Sequence, residues 1–281
     1  MSGRSNIRSA AKSIVAILVG IALKDGLISS LDQTLGELLP KKLVNNFAPE
    51  KRNISLHHLL TMTSGLESME SGINALKFLS SPDWTRFMLR LKSVSRPGER
   101  FIYNSANPHL ISAVISHLSG ETLLAYAKRK LFEPLGIRNV AWGAGPESTT
   151  FGGGNLFLSA EELLRIGELC LARGRVNGKQ LIPETWIDEM WKPYEEFLPG
   201  WKYGFYWYLH DEIDSSSGRR FITYSAAGTG GQKLLLIPEI DLAMAVVATT
   251  DFLGERGIAL NKVISTELIP AVNIRNRYII K

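Results

Sequence analysis

Ser9-Ala10-Ala11-Lys12-Ser13-Ile14-Val15-Ala16-Ile17-Leu18-Val19-Gly20-Ile21-Ala22-Leu23-Lys24 is apolar at nearly every position after its first turn. Such a pattern suits a helix enclosed on all sides by a core, and Gly26 follows as a helix-ending glycine. The opening of the segment is different in kind. Ser9 and Lys12 stand three residues apart, so on a helix they share a face and the amine can reach the hydroxyl. A serine hydroxyl is a poor nucleophile until a neighbour takes its proton. A lysine can do so where burial favours the neutral amine, and Ile14, Val15, Ile17 and Leu18 are placed to bury it. First-turn N–H groups lack intrahelical partners and sit at the positive end of the helix dipole. Alkoxide at Ser9 is favoured there, and its N–H is free for a developing oxyanion.

Alone, Ser-x-x-Lys is a weak signal, because a capping serine beside a surface lysine has the same spelling. Arg4, Arg8 and Lys12 ahead of the apolar run also imitate a signal peptide. The run is shorter than the roughly 20 residues a membrane span needs, and no small-x-small cleavage site follows it. It is read as a core helix, and the chain as cytoplasmic.

The 281 residues are 45% hydrophobic, enough for one large domain or two closely joined lobes. The net charge of +5 is spread without blocks of like charge, so neither nucleic acid nor membrane is expected as a partner. Cys170 is the single cysteine, which excludes an intrachain disulfide; between Leu169 and Leu171 it reads as a core thiol. His57, His58, His109, His117 and His210 have no metal-ligand spacing. The Gly152–Gly154 run lacks the Lys-Ser/Thr of a phosphate loop. No metal or organic cofactor is expected.

Helical patterns follow at Leu31 to Leu39, Leu56 to Thr63, Ile73 to Leu79, Trp84 to Leu91, Pro108 to Leu118, Thr122 to Phe132, Ala160 to Ala172 and Pro183 to Trp191. After Pro199 the character changes. Tyr203 to Leu209, Phe221 to Ser225, Gln232 to Ile237 and Leu242 to Thr249 read as strands of an antiparallel meander. Asn261 to Ile269 reads as a closing helix ended by Pro270. Helices followed by consecutive strands indicate an α+β fold.

Two later segments bear on the serine. Tyr103-Asn104-Ser105 follows Pro97-Gly98 and an aromatic stretch, which places Tyr103 on a loop before a helix. A tyrosine beside a lysine ammonium ionises more easily and can relay protons. Ser225-Ala226-Ala227-Gly228-Thr229-Gly230-Gly231-Gln232 leads into a strand, and its glycines let a strand edge approach a substrate and offer a second oxyanion donor. A tyrosine packed at a loop corner and an ordinary hairpin turn are the plainer alternatives.

With these segments in this order the chain resembles the penicillin-recognising serine hydrolases, of the class C β-lactamase and family VIII carboxylesterase type. The branch that includes 6-aminohexanoate-dimer hydrolase is the nearest in pattern. Ile54 to Leu66, Phe132 to Ile137 and Gly152 to Ser159 also fit, so the resemblance runs from about Ser9 to Ala271. It implies an antiparallel sheet flanked by helices with an inserted helical lobe. That makes residues 1–281 one catalytic domain, with an α/β lobe at about 1–50 and 195–281 and a helical lobe at about 51–194. It further implies acylation of Ser9, acid/base work shared by Lys12 and Tyr103, and an oxyanion hole from the N–H groups of Ser9 and Thr229. Ser105 and Gly228 are implied as substrate-binding neighbours. Which of Lys12 and Tyr103 is the base stays open.

The chain departs from the family pattern in three places. Ser105 stands where β-lactam-processing members carry asparagine, and Ala226 where they carry lysine or histidine. A neutral ester or amide is therefore expected before a penicillin. Relatives also have several dozen residues, including two strands, ahead of Ser-x-x-Lys, where this chain has eight. Those strands are expected to be missing, which leaves Leu242 to Thr249 at a sheet edge unless Asn276 to Lys281 patch it. The expected activity is hydrolysis of small esters or amides; the alternative is a sensor-like relative that binds or is acylated without turnover. A β-lactamase or D-amino peptidase would be the third reading.

Overall fold

The computed structural model describes residues 3–248 and 262–272. β1 (Ser5–Asn6) leads to a 3-10 turn, Arg8–Ala10, and then to α1 (Ala11–Lys24). The helix expected from Ser9 thus begins two residues later. Arg8 takes a left-handed backbone (φ 54°) and Ala10 N–H donates to Ile7 O at 3.2 Å, so Ser9 sits on a tight turn. Every residue of α1 from Ala11 to Ala22 is buried. Gly20 in its middle is a close-approach site: a Cβ there would meet the Trp186 ring at 2.1 Å. The same indole donates from Nε1 to Ala16 O at 3.0 Å.

The next helices are α2 (Leu35–Leu38), α3 (Lys41–Val44), α4 (Pro49–Arg52) and α5 (Leu56–Leu60). They are followed by α6 (Gly72–Leu79), α7 (Trp84–Arg90), α8 (Ala106–Ser119) and α9 (Leu123–Ala127). α5 stops short of the expected Thr63 because Met62 turns left-handed (φ 62°). α9 runs into a π-helical turn, Lys128–Phe132. α8 ends on Gly120 in the left-handed conformation, as a C-terminal glycine allows.

β2 (Ala141–Trp142) and β3 (Leu156–Leu158) join β1 in a small sheet of order β1-β3-β2, which the sequence reading lacked. α10 (Ala160–Leu171) opens with a capping box, Ser159 and Glu162 each accepting from the other's N–H. The hairpin β4 (Arg175–Val176) and β5 (Lys179–Gln180) and the helix α11 (Glu184–Met190) come next.

The main sheet is an antiparallel meander of β6 (Glu195–Leu198), β7 (Trp201–Tyr203), β8 (Tyr208–Ile213), β9 (Arg220–Gly228), β10 (Gln232–Ile237) and β11 (Leu242–Val246), in that spatial order. β6 and β7 were not expected. The strand expected at Tyr203 to Leu209 is instead divided. Gly204 N–H bonds Trp207 O and Tyr206 goes left-handed, so the chain turns between β7 and β8. β11 is the terminal strand among the described residues. Side chains of β10 alternate between faces: Leu234 and Leu236 join the main core around α1 and α10, whereas Leu235 and Ile237 meet Ile264 and Ile269 behind the sheet. The helical stretch 262–272 includes a π turn, Ile264–Leu268, and passes through Pro270 instead of ending there. The wider turn leaves room for the ring. Thr249, Asn261 and Asn276 to Lys281 lie outside the described residues. No single helix among those described is long and apolar enough to cross a membrane.

Candidate active site

The turn before α1, the loop before α8, the Gly152–Gly154 loop and the end of β9 converge on one cavity of about 640 Å³. Ser9, Tyr103, Ser105, Gly228 and Thr229 all line it. Lys12, 1% exposed, lies just beneath the lining. Its Nζ donates to Ser9 Oγ at 2.8 Å and to Gly153 O at 2.9 Å. It also lies 4.9 Å from the centroid of the Tyr103 ring. Burial lowers the Lys12 pKa to about 8, partly opposed by the negative charge of Glu70. At neutral pH a useful fraction of this amine is uncharged and able to accept a proton.

Tyr103 behaves differently from the expectation that it ionises readily. Desolvation dominates and pushes its pKa up to about 12, with hydrogen bonding to Ser9 pulling the other way. Tyr103 is thus a protonated phenol at neutral pH.

Gly228 is needed where it stands. A Cβ on it would meet Ile7 O at 2.3 Å and the Arg8 Cβ at 3.0 Å, so the strand end could not close on the serine turn. Gly228 pairs with Gln232 as the last rung of β9 against β10, and Thr229 is the first residue beyond it. Ala226 is fully buried; Ala227 and Gly228 face the cavity.

The loop under Tyr103 is pinned by Asn104, which is completely buried. Its Oδ1 accepts from Met69 N–H at 3.2 Å and Ala106 N–H at 3.0 Å, and its Nδ2 donates to Glu67 O at 2.8 Å. Ser105 N–H donates to Glu70 Oε1 at 2.8 Å, which brings a carboxylate to the cavity rim. Phe78, Phe151, Met69 and Tyr208 supply the apolar wall. Of the aromatic run at 203–208, Tyr208 reaches the cavity, while Tyr203, Phe205, Tyr206 and Trp207 are buried in packing.

Sequence reasoning missed Arg8, Met69, Glu70, Phe78, Phe151 and the Gly153 carbonyl. The Gly152–Gly154 run was the signal for the last, since chain packed that closely needs small residues. His58 closes the N-terminus of α5, its Nδ1 accepting from Ser55 N–H at 3.1 Å. Cys170 is a buried thiol whose pKa desolvation raises to about 12. Among the described residues no three His, Cys, Asp or Glu side chains are grouped to hold a metal ion.

In comparisons with known proteins, an uncharacterised protein of Alkalihalophilus pseudofirmus is 23% identical, covering 90% of this chain and 75% of that protein. Among solved structures, a provisionally named 6-aminohexanoate-dimer hydrolase from Bacillus anthracis superposes with a TM-score of 0.80 at 17% identity, covering 98% of this chain and 74% of that one. EstCE1, described as a hydrolase with promiscuous acyltransferase activity, superposes with a TM-score of 0.75 at 18% identity, covering 93% and 84%. At such identities these structures establish a shared fold. The sequence model of the beta-lactamase family matches residues 3–266, and the chain belongs to that family.

Proposed function

We propose that this chain is a serine hydrolase that cleaves small neutral esters or amides through an acyl-enzyme on Ser9. The observation that carries the reading is the 2.8 Å contact between a desolvated lysine amine and a serine hydroxyl at the wall of an open cavity. Lys12 Nζ accepts the hydroxyl proton as Ser9 Oγ bonds to the substrate carbonyl carbon. The carbonyl oxygen takes up the negative charge and is held by the N–H groups of Ser9 and Thr229, each such donor contributing about 3–4 kcal/mol in comparable sites. Collapse expels the alcohol or amine, protonated by Tyr103, and Tyr103 regains its proton from Lys12. Water then attacks the acyl carbon and gives its proton to Lys12; the C–Oγ bond breaks, the acid product leaves, and Lys12 returns the proton to Ser9 Oγ.

The pKa directions favour Lys12 as base and Tyr103 as donor to the leaving group, because the amine is pulled toward neutrality and the phenol is pushed away from ionisation. The apolar wall of Phe78, Phe151, Met69 and Tyr208 suits a small acyl group. Similarity to a protein named for hydrolysing the 6-aminohexanoate dimer and to one named a hydrolase with acyltransferase activity agrees with acyl transfer.

Steady turnover of nitrophenyl acetate, abolished in Ser9→Ala, is the expected result. Fluorophosphonate labelling followed by peptide mass analysis should find the added mass on Ser9. A stoichiometric burst without turnover would assign the chain to acylation alone, and turnover that survives Ser9→Ala would refute the proposal.

A further inference from the structure

Helix α6 carries apolar residues on its outer side. Ile73 is 62% exposed, and Leu76 and Leu79 are each 70% exposed, whereas Phe78 of the same helix is buried and lines the active-site cavity. At about 100° per residue the three exposed side chains fall within an arc of about 120°, with Phe78 on the opposite side. Beside Ile73 lies a second cavity of about 480 Å³, whose walls include Asn74, Lys77, Arg90 and Lys92. All three cations are exposed, and none makes an ion pair among the described residues. Glu67, also at this cavity, is engaged by Lys92 N–H at 3.0 Å through its Oε1.

We propose that this face docks on an anionic lipid–water interface, with phosphate-bearing headgroups at Lys77, Arg90 and Lys92 and the Ile73–Leu76–Leu79 stripe at the acyl boundary. Charge selects this occupant. A second copy laid on the same face would set the cations against their own counterparts, whereas an anionic surface neutralises them while the stripe leaves water. Stable attachment of a peripheral protein takes two such signals, and here they adjoin. No single helix among the described residues is long and apolar enough to cross a membrane, and the sequence has no block of like charge, which is why no membrane partner is expected from sequence. The basic cluster is assembled by the fold, from one residue on α6, one on α7 and one just after α7. Phe78 links docking to access, since the helix that meets the interface also walls the cavity beside Ser9.

The test is co-sedimentation of the full chain with vesicles of phosphatidylcholine alone and with vesicles containing one quarter phosphatidylglycerol. It is read without turnover, so it stands or falls apart from the role of Ser9. The wild type should pellet with the anionic vesicles and stay in solution with the neutral ones. The triple substitution Lys77→Gln, Arg90→Gln, Lys92→Gln should weaken binding on the order of a hundredfold, about fivefold per cation. Leu76→Ser with Leu79→Ser should also release the protein, and both variants should melt at the wild-type temperature because the altered side chains are exposed. Absence of vesicle binding, equal binding to both compositions, or binding unchanged in either variant would overturn the proposal. So would a wild-type dimer that dissociates in the Leu76→Ser, Leu79→Ser variant, which would give the stripe to a second copy. Retention on an immobilised polyglutamate with no vesicle binding would give the face to an acidic protein.

Discussion

Lys12 and Lys51 are both buried, at 1% and 9% exposure, and desolvation lowers the pKa of each. Each amine also donates two hydrogen bonds. Lys51 gives both to backbone carbonyls, Leu89 O at 2.8 Å and Leu91 O at 2.7 Å, and so ties down the end of α7. Lys12 gives one to Gly153 O and the other to the Ser9 hydroxyl. A carbonyl holds an amine in place but has no proton to surrender; a hydroxyl beside a cavity has one. Glu50 and Glu67 draw Lys51 back toward its charged form, and Glu70 acts this way on Lys12. Burial of a lysine therefore does not make a base. The acceptor it faces and the room next to that acceptor decide.

The largest effect expected from this contrast is on turnover. Lys12→Met should lower kcat for nitrophenyl acetate by about a thousandfold, with an unchanged circular dichroism spectrum. If Lys51→Met lost as much, the contrast would be broken. The pH profile comes next. With Lys12 as the proposed base the reacting amine is the neutral one, so kcat/KM should rise about tenfold per pH unit below about 8 and level off above it. The linked effect on stability has a definite sign. The folded-state pKa of Lys12 lies below its ordinary 10.5, so between the two the unfolded chain holds more protons. The penalty for burying the charged amine is fully felt below about pH 8 and is relieved as pH climbs toward 10.5.

Lys51→Met should leave kcat within about twofold of wild type but cost about 1–3 kcal/mol in urea denaturation, because the carbonyls of Leu89 and Leu91 lose their donor. Glu70→Gln is the finest probe. It keeps an acceptor for Ser105 N–H and removes the charge that raises the Lys12 pKa, so the inflection of the rate profile should move to lower pH. An inflection that stayed in place would separate Glu70 from the ionisation of Lys12.

What was legible in the sequence was mostly local. Ser9 and Lys12 could be paired because helical spacing brings them together within one turn, and the burial of α1 followed from its unbroken apolar pattern. The order of motifs was enough to place Tyr103, Ser105, Gly228 and Thr229 near them. Glu70, Phe78 and Phe151 reach the cavity by packing between segments far apart in the chain, which no spacing rule encodes. β6 and β7 escaped notice because Glu195-Glu196 and Pro199-Gly200 carry the polar and turn residues of a loop. β1 and β2 have two residues each, too few for any alternation to show. The ionisation of Tyr103 was misjudged for a related reason: desolvation depends on how many segments close around the ring.

Trp186 is wedged into the Gly20 notch and bonded to Ala16 O, about 16 Å along the helix axis from Ser9. The wedge works like a key in a shaft, fixing α1 against lengthwise creep and so setting the height at which the serine meets the glycine strand. Enlarging Gly20 or trimming Trp186 would shift that height without touching a reacting atom. A random-mutagenesis screen scored on lost turnover would therefore gather hits around Gly20 and Trp186, and a map of those hits would show a second hot spot away from the residues that line the cavity.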